Sequence, residues 1–253
     1  MAKSNASSHS LLALATSGKA SSVCITSADQ TVAVLDSEEW LKQLPESQRA
    51  GKSTAIISMT KAILEQAKLS STDLGAIALT NGPGGFTGLR VGVVAARMLC
   101  YAWDLPVIVV SSLEVAADKL RRQRGLETGS AIWAVTDAQR RQVFASKMVV
   151  ADSGRLETVE SQALYERQAL IDKLETGDHV TGSGAFAFQD LIDSKTGVDL
   201  PCAAEAACDA IGVASLAQRR FAAEDFDDLL SIEPIYFRPS AAEEVRLANQ
   251  ISK

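Results

Sequence analysis

Two segments of the sequence share one order of apolar strand, polar turn and return strand. Residues 11–26 read LLALATSGKASSVCIT, and residues 131–146 read AIWAVTDAQRRQVFAS. The first strand of each segment leads to a threonine, Thr16 or Thr136, and a valine lies in each return strand. A repeat on this scale indicates that the chain is built from two related halves.

A second matching motif and the spacing of apolar residues extend this prediction. The pattern Gly-x-Gly-x-Phe begins at Gly82 and again at Gly182, each time after an apolar strand that ends in threonine. Periodicity predicts strands at residues 11–15, 21–27, 31–36, 74–80 and 105–111, and helices at about 53–69, 87–103 and 112–124. We expect Ser112 to cap the last of these helices.

Strands that alternate with helices favour a layered α/β domain with mixed sheets flanked by helices. Two related halves of this kind, facing each other, form the duplicated actin-like fold, which is also called ASKHA or ribonuclease H-like. We expect an N-terminal subdomain over residues 11–110 and a C-terminal one over 111–238, with a helix near 205–220 packing back on the first. Residues 1–10 and 239–253 are expected to be tails, the first of them disordered.

Composition and charge narrow the class of protein. The chain has 253 residues, of which 47% are hydrophobic, so it can bury a sizeable core. Its net charge of -6 excludes the broad basic field that carries non-specific affinity for nucleic acid. We interpret the basic clusters at residues 119–124 and 139–141 as a solvated helix face and a turn. If RNA is involved, we expect a partner to bind most of it.

Cysteine usage and the N-terminus predict a cytoplasmic protein. Four cysteines occur without a C-x-x-C pair, which indicates neither a zinc site nor a disulfide framework. Residues 1–10 are polar, and the apolar run LLALA that follows is too short for a signal peptide. No run reaches the length of a membrane span.

The sequence offers little catalytic machinery. AGKST at residues 50–54 lacks the glycine and the preceding strand that a phosphate-binding loop requires, so we interpret it as a helix start capped by Ser53 or Thr54. The two histidines, His9 and His179, form no metal-binding pair. No metal site or catalytic residue is therefore predicted. Asp36, Asp137 and Asp152 are interpreted as turn residues.

The Gly-rich bend TNGPGGFTG at residues 80–88 allows two interpretations. Gly84 and Gly85 permit a tight turn, and Thr87 can cap the helix so that its free N–H groups receive a phosphate. Alternatively, Gly88 and Gly92 form a smooth ridge on which another backbone packs, which would offset the roughly 1 kcal/mol that an interior glycine costs.

The helix after this bend is apolar on two faces. Leu89, Val93 and Ala96 belong to the first face, and Val91, Val94, Ala95 and Met98 form the second. A helix that is apolar nearly all round is covered on both sides. We expect the second side to contact a partner protein.

Several motifs resemble the TsaB (YeaZ) family, from about residue 11 to residue 238. They are LALATS, LGAIALTNGPGGFTGLRVGVVAARML, LPVIVVSSLEVAA, AVTDAQRRQVFAS and PIYFRP. The resemblance implies the duplicated actin-like fold and an accessory role in making threonylcarbamoyladenosine on tRNA. It also implies that the related subunit TsaD, whose metal-binding histidines this chain lacks, performs the catalysis.

The resemblance further implies a TsaD complex that TsaE joins, a homodimer when the chain is alone, and contact with tRNA only through the complex. Both kinds of dimer would use the helices at 53–69 and 87–103. The interface residues expected on them are Ile56, Met59, Ile63, Arg90, Val91, Val94, Ala95 and Met98. No cofactor is assigned to this chain by itself, although ATP or ADP would fit at the complex interface, near Gly84, Gly85 and Thr87.

The sequence departs from the family at three places. Ala15-Thr16-Ser17 replaces the usual Asp-Thr-Ser, which removes a carboxylate that organises magnesium or phosphate. Lys52-Ser53 replaces His-Ser, and residues 138–144 form a divergent turn. Two alternatives remain open, a stand-alone glycoprotease-like peptidase and an ATP-binding actin-like switch.

Overall fold

Two mixed β-sheets form the two halves of the protein, and the four strands of the second match the first four of the five-stranded first sheet. The computed structural model describes residues 9–27, 30–45, 52–195, 197–200 and 207–235. In this part of the chain the strands are β1 (Ser10–Ala15), β2 (Ser22–Ser27), β3 (Gln30–Asp36), β4 (Leu74–Thr80), β5 (Val107–Val110), β6 (Ala131–Asp137), β7 (Gln142–Val150), β8 (Leu156–Glu166) and β9 (His179–Thr181). The helices are α1 (Ser37–Gln43), α2 (Lys52–Ala67), α3 (Phe86–Trp103), α4 (Ser112–Arg124), α5 (Arg167–Lys173), α6 (Gln189–Asp193) and α7 (Ala210–Ala222).

The strand order shows the duplication directly. The first sheet runs β3-β2-β1-β4-β5 and the second runs β8-β7-β6-β9. In each, an antiparallel meander of three strands is followed by a strand parallel to the first strand of the meander. The duplicated actin-like α/β fold predicted from the repeat is therefore confirmed.

The first sheet is covered on both faces. Strands β1 and β4 read as near-continuous apolar runs and are buried along almost their whole length, as expected for central strands covered on two sides. Helices α2 and α3 cover one face, with Met59 and Val93 among the contacts. Helix α7 covers the other face with Val213 and Phe221.

Two helices exchange between the halves. Helix α4 follows the first sheet in sequence but packs Leu113 and Leu120 against Ile132 and Met148 of the second sheet. Helix α7 follows the second sheet but packs on the first, and the two helices contact each other. The two halves are therefore joined by apolar packing of these helices as well as by covalent connections.

The helix starts differ in detail from the predictions. Ser111, and not Ser112, caps α4, because its Oγ accepts the N–H of Leu113 at 3.3 Å. Gly85 is the residue that precedes α3, so Thr87 lies inside the first turn and does not cap it. Helix α2 begins at Lys52, which likewise places the expected caps of that helix within it.

One helix was not predicted, and most of the predicted tails lie outside the described residues. Helix α1 was not predicted; it begins after Asp36, whose Oδ1 accepts the N–H of Glu38 at 2.7 Å. The predicted first tail overlaps β1 at Ser10, whereas residues 1–8 and 239–253 lie outside the described residues. Among the described helices, none has both the length and the hydropathy needed to cross a membrane.

Candidate functional site

The Gly-rich bend between β4 and α3 is tied to two other segments. Gly82 has a φ of +131°, which favours glycine, and its peptide bond to Pro83 is cis. The Gly82 carbonyl accepts the N–H of Ser112 at 3.0 Å, at the start of α4. Ile235 donates its N–H to the Asn81 carbonyl at 2.8 Å. The bend before α3 is therefore held by backbone hydrogen bonds to both of these segments.

The glycines of the bend pack against the turn between β1 and β2. A methyl group on Gly84 would lie 2.5 Å from the carbonyl oxygen of Ser17, and one on Gly88 would overlap the carbonyl oxygen of Thr16. A methyl group on Gly92 would overlap the Thr16 hydroxyl. The expected close packing of a backbone on this ridge is confirmed, and the backbone that packs there belongs to the same chain.

The predicted phosphate contacts lie together at the start of α3. Gly85 and Thr87 are exposed and Gly84 is half-buried, but the Gly85 N–H already donates to the Ser17 carbonyl at 2.9 Å. Ala15 is buried at the end of β1, where a carboxylate would otherwise approach the turn. Contact of these three residues with phosphate stays a prediction, while close backbone packing explains Gly84.

Half of the expected partner residues lie in the interior. Ile56, Met59 and Ile63 are fully buried against the first sheet, and Ala95 is 4% exposed in the same core. An apolar stripe at helical spacing faces the core of the protein, which is what the stripe on α2 does. These four side chains have no surface to offer to a partner, so the expectation for them is corrected.

The other expected residues lie on the outer side of α3. Val94 is 55% exposed and Met98 is 62% exposed; Arg90 is exposed and Val91 is half-buried. Tyr101, which sequence reasoning missed, is 85% exposed and continues the same stripe. Positions 94, 98 and 101 follow the four-then-three spacing of one helix face, so extending the stripe by one turn would have found it.

Two further exposed apolar side chains lie on the two contacting helices α2 and α3. Ile57 is exposed on the neighbouring helix α2, and Phe86 is exposed at the first residue of α3. The Arg90 guanidinium lies 4.0 Å from the centre of the Phe86 ring, within range of a cation–π contact. We call the surface formed by Ile57, Phe86, Arg90, Val91, Val94, Met98 and Tyr101 the α2–α3 face.

The second half repeats the bend but not the helix. Gly182 has a φ of +96°, and Gly184 donates its N–H to the Val135 carbonyl at 3.0 Å. A methyl group on Gly184 would lie 2.5 Å from the backbone of Thr136 and Asp137. The bend continues into a short 3-10 turn and the five-residue helix α6, so the described residues that follow this bend form no equivalent of the α2–α3 face.

The remaining candidate residues pair with a neighbouring side chain or lie in turns. His179 lies in β9, and its Nδ1 is 3.2 Å from an Asp199 carboxylate oxygen. Asp36 and Asp137 each accept the backbone N–H of the residue two positions ahead, and Asp152 is exposed in a turn. The described part of the chain contains no group of three or more His, Cys, Asp or Glu residues arranged to hold a metal.

Two cysteines are buried, and the centre of the divergent turn is exposed. Burial raises the pKa of the Cys24 thiol to about 11 and that of Cys100 to about 12, which keeps both protonated and unreactive. Cys202 lies outside the described residues. Three consecutive residues of the divergent turn, at positions 139–141, have left-handed φ angles and exposed side chains.

Comparison with known proteins supports the resemblance seen in the motifs. The family model described as TsaD, tRNA N6-adenosine threonylcarbamoyltransferase, matches residues 40–247. The chain is 30% identical over 192 residues to the tRNA threonylcarbamoyladenosine biosynthesis protein TsaB of Haemophilus influenzae. The matched region covers 72% of this chain and 78% of that protein. It is 31% identical over 139 residues to the protein of the same name from Escherichia coli. This match covers 54% of this chain and 59% of that protein.

A solved structure shares the fold. YeaZ from Pseudomonas aeruginosa superposes with a TM-score of 0.71 at 21% identity, covering 90% of this chain and 99% of that one. The family model spans more than half of the chain, and the identity to the Haemophilus protein extends over most of it. On these grounds the chain belongs to the TsaB (YeaZ) family.

Proposed function

We propose that this chain is a non-catalytic subunit that binds a TsaD-type subunit and activates it. In this proposal the complex, which TsaE joins, transfers the threonylcarbamoyl group to the tRNA adenosine next to the anticodon, in the cytoplasm. The names of the relatives support the pathway, and the TsaD family model supports a shared origin with the proposed partner. The observation that carries the proposal is the exposed apolar α2–α3 face.

The side chains of this face favour a protein partner. Burying a large apolar side chain contributes about 1.5 to 3 kcal/mol, and Val94, Met98 and Tyr101 are all more than half exposed along one helix face. Contiguous exposed apolar surface of this kind marks interaction sites. Tyr and Arg are enriched among the residues that dominate interface energies, so Tyr101 and Arg90 are the strongest anchors we expect.

The support beneath the face favours a preformed interface. Gly88 and Gly92 bring α3 into direct contact with the turn at Thr16, and the bend is bonded to α4 through Ser112. A helix held in this way loses little conformational freedom when it binds, which preserves more of the contact energy. In the absence of TsaD, we propose that the same face forms a homodimer.

We assign the chemistry to the partner. His179 pairs with an Asp199 carboxylate in the second half, away from the α2–α3 face on the first. Gly84, Gly85 and Thr87 lie at the start of α3 beside the face, where an ATP or ADP phosphate would be enclosed only after the partner binds. Contact with tRNA is proposed to occur within the complex.

The test is the substitution Val94→Asp. An uncompensated charge at the centre of an interface costs several kcal/mol, so we expect this variant to lose co-purification with the TsaD-type subunit. Val159→Asp is the matched control, because Val159 is 56% exposed but lies on β8 in the second half. Both variants should keep the thermal unfolding midpoint of the parent protein.

The second readout is threonylcarbamoyladenosine formed on tRNA in a reconstituted reaction. Val94→Asp should abolish the stimulation that the parent chain gives, and Val159→Asp should leave it intact. A folded Val94→Asp variant that still forms the complex and supports the modification would overturn the proposal.

A further inference from the structure

A groove lined by arginines runs along α4 and α7, away from the α2–α3 face. It consists of two adjoining cavities of about 410 Å³ and 400 Å³ that share Asp118, Leu216 and Arg219. The first cavity reaches Thr26 at the end of β2, opposite the end that meets the glycine bend. The second reaches Arg155 in the turn before β8. We call these two cavities together the arginine groove.

One buried carboxylate orients two of the arginines. Asp118 is held within α4 with its side chain 10% exposed, and it lies 2.8 Å from the Arg121 guanidinium and 2.9 Å from that of Arg122. Each guanidinium has five N–H donors, and a single carboxylate uses only part of them. The basic cluster predicted as a solvated helix face is therefore partly ordered and faces a cavity.

The other three arginines continue the lining along α7 and the turn before β8. Arg220 is held by Asp225 and Asp227 at 2.7 and 3.0 Å. Arg155 and Arg219 are exposed and make no ion pair with any residue that the structure describes. With Glu114, Asp118 and Asp225 as the acidic lining residues, the groove carries more positive than negative groups in a chain of net charge -6.

The shape and chemistry of the groove favour an extended polyanion. Arginine forks match phosphate oxygens in two-point hydrogen bonds. The arginines are distributed over both cavities, so one small anion would leave several of them unused. Among the described residues, the lining includes no aromatic side chain that could stack on a base. These properties suit the sugar-phosphate backbone of a nucleic acid and offer no reading of its sequence.

We infer that the arginine groove binds the phosphate backbone of the tRNA that the complex modifies, so that this chain contributes directly to holding the RNA. The inference rests on the proposed function for the identity of the RNA. It adds a contact by this chain to the expectation that a partner binds most of the RNA. Arg155 and Arg219 are the leading contact residues, because no carboxylate within the described ranges pairs with them.

The experiment uses the full chain in complex with the TsaD-type subunit and a fluorescently labelled, unmodified tRNA. The groove variant is Arg155→Glu with Arg219→Glu, and the control is Lys68→Glu with Arg141→Glu, two exposed positions outside the groove that give the same change in net charge. Affinity is measured by fluorescence anisotropy between 50 and 200 mM salt. If the complex does not form, the full chain is titrated alone.

We expect the groove variant to bind tRNA at least about tenfold more weakly than the control, with a salt slope lower by about 2, one for each lost phosphate contact. Complex formation, followed by size-exclusion chromatography, should be unchanged, which separates this inference from the proposed partner role. Equal tRNA affinity and equal salt slope in the two variants would overturn the inference. Loss of complex formation with unchanged tRNA affinity would also overturn it and would identify an acidic protein segment as the occupant.

Discussion

The second half of the chain repeats the glycine bend of the first half but not the helix that follows it. In the first half the bend leads into α3, which has 18 residues and an exposed apolar stripe. In the second half it leads into a 3-10 turn and the five-residue α6. The bend is therefore part of the folding unit, whereas in the described ranges the long helix with its exposed face follows only the bend of the first half.

The packing beneath the two bends shows where they diverge. Gly88 allows α3 to touch the carbonyl of Thr16, and the motif offset between the halves places Phe188 at the matching position. Phe188 is 5% exposed and fills the second core. In the first half, glycines allow the long helix α3 to pack closely on the neighbouring turn. In the second half, a large buried side chain occupies the matching position, immediately before the short helix α6.

The largest expected effect on stability comes from disrupting the close contact between α3 and the turn at Thr16. Gly88→Val places a branched side chain against the Thr16 carbonyl, which belongs to the backbone and cannot rotate away. We expect the free energy of unfolding to fall by about 3 kcal/mol, as for severe overpacking. Ala102→Val, at an exposed position of the same helix, should cost less than about 1 kcal/mol. Urea denaturation measures both, and equal losses would contradict the packing described here.

A smaller effect on stability should distinguish Gly84 from its neighbour Gly85. It should also show whether the glycine bends of the two halves are equally sensitive to an added methyl group. Gly84→Ala and Gly184→Ala each bring a methyl group to 2.5 Å from backbone atoms, and we expect each to cost about 2 kcal/mol. Gly85→Ala should stay within about 0.5 kcal/mol of the parent protein, since its methyl group would lie 3.7 Å from the Ser17 carbonyl oxygen, an ordinary van der Waals distance. Thermal and urea unfolding would show whether the bends are equally intolerant; a neutral Gly184→Ala would break the equivalence.

The smallest effect concerns Glu114 on α4, which joins the halves. Burial, and then the nearby Asp118, raises the pKa of this carboxyl above its ordinary value of 4.5. A raised carboxyl pKa favours the folded state at pH values below 4.5, and this contribution is lost as the pH rises through the raised value. Glu114→Gln should therefore gain stability over the parent above that pH and show no gain below pH 4.5. The exposed Glu127→Gln is the control in urea unfolding followed against pH, and a Glu114→Gln gain independent of pH would contradict the assignment.

Much of the fold could be predicted because it depends on local patterns. The apolar runs of β1 and β4 and the stripe on α2 follow from which residues leave water, and the matching hairpins predicted the duplication. The short helices α1, α5 and α6 were not predicted, since seven or fewer residues give little periodicity. The caps were displaced by one or two residues because several serine, threonine and glycine candidates adjoin each helix start.

The candidate site was predicted less completely. Periodicity predicted one apolar stripe on α2 and two apolar faces on α3, but it could not say which apolar residues face the sheet and which face a partner, so Ile56 and Ala95 were expected at the interface and lie in the core. Arg155 and Arg219 are far apart in sequence and neither belongs to the basic cluster at 119–124. Only the exchange of α4 and α7 between the halves brings them to one groove.

The sequence alone determined the two-fold repeat, the apolar strands and the glycine bends, because each depends on neighbouring residues and on backbone freedom. The tertiary structure decided that the glycine ridge contacts Thr16 of the same chain, that Val94, Met98 and Tyr101 remain exposed, and that arginines from three segments share a groove. These outcomes depend on which faces of separate elements meet, and that choice is made by packing the whole core, not by the pattern of any one segment.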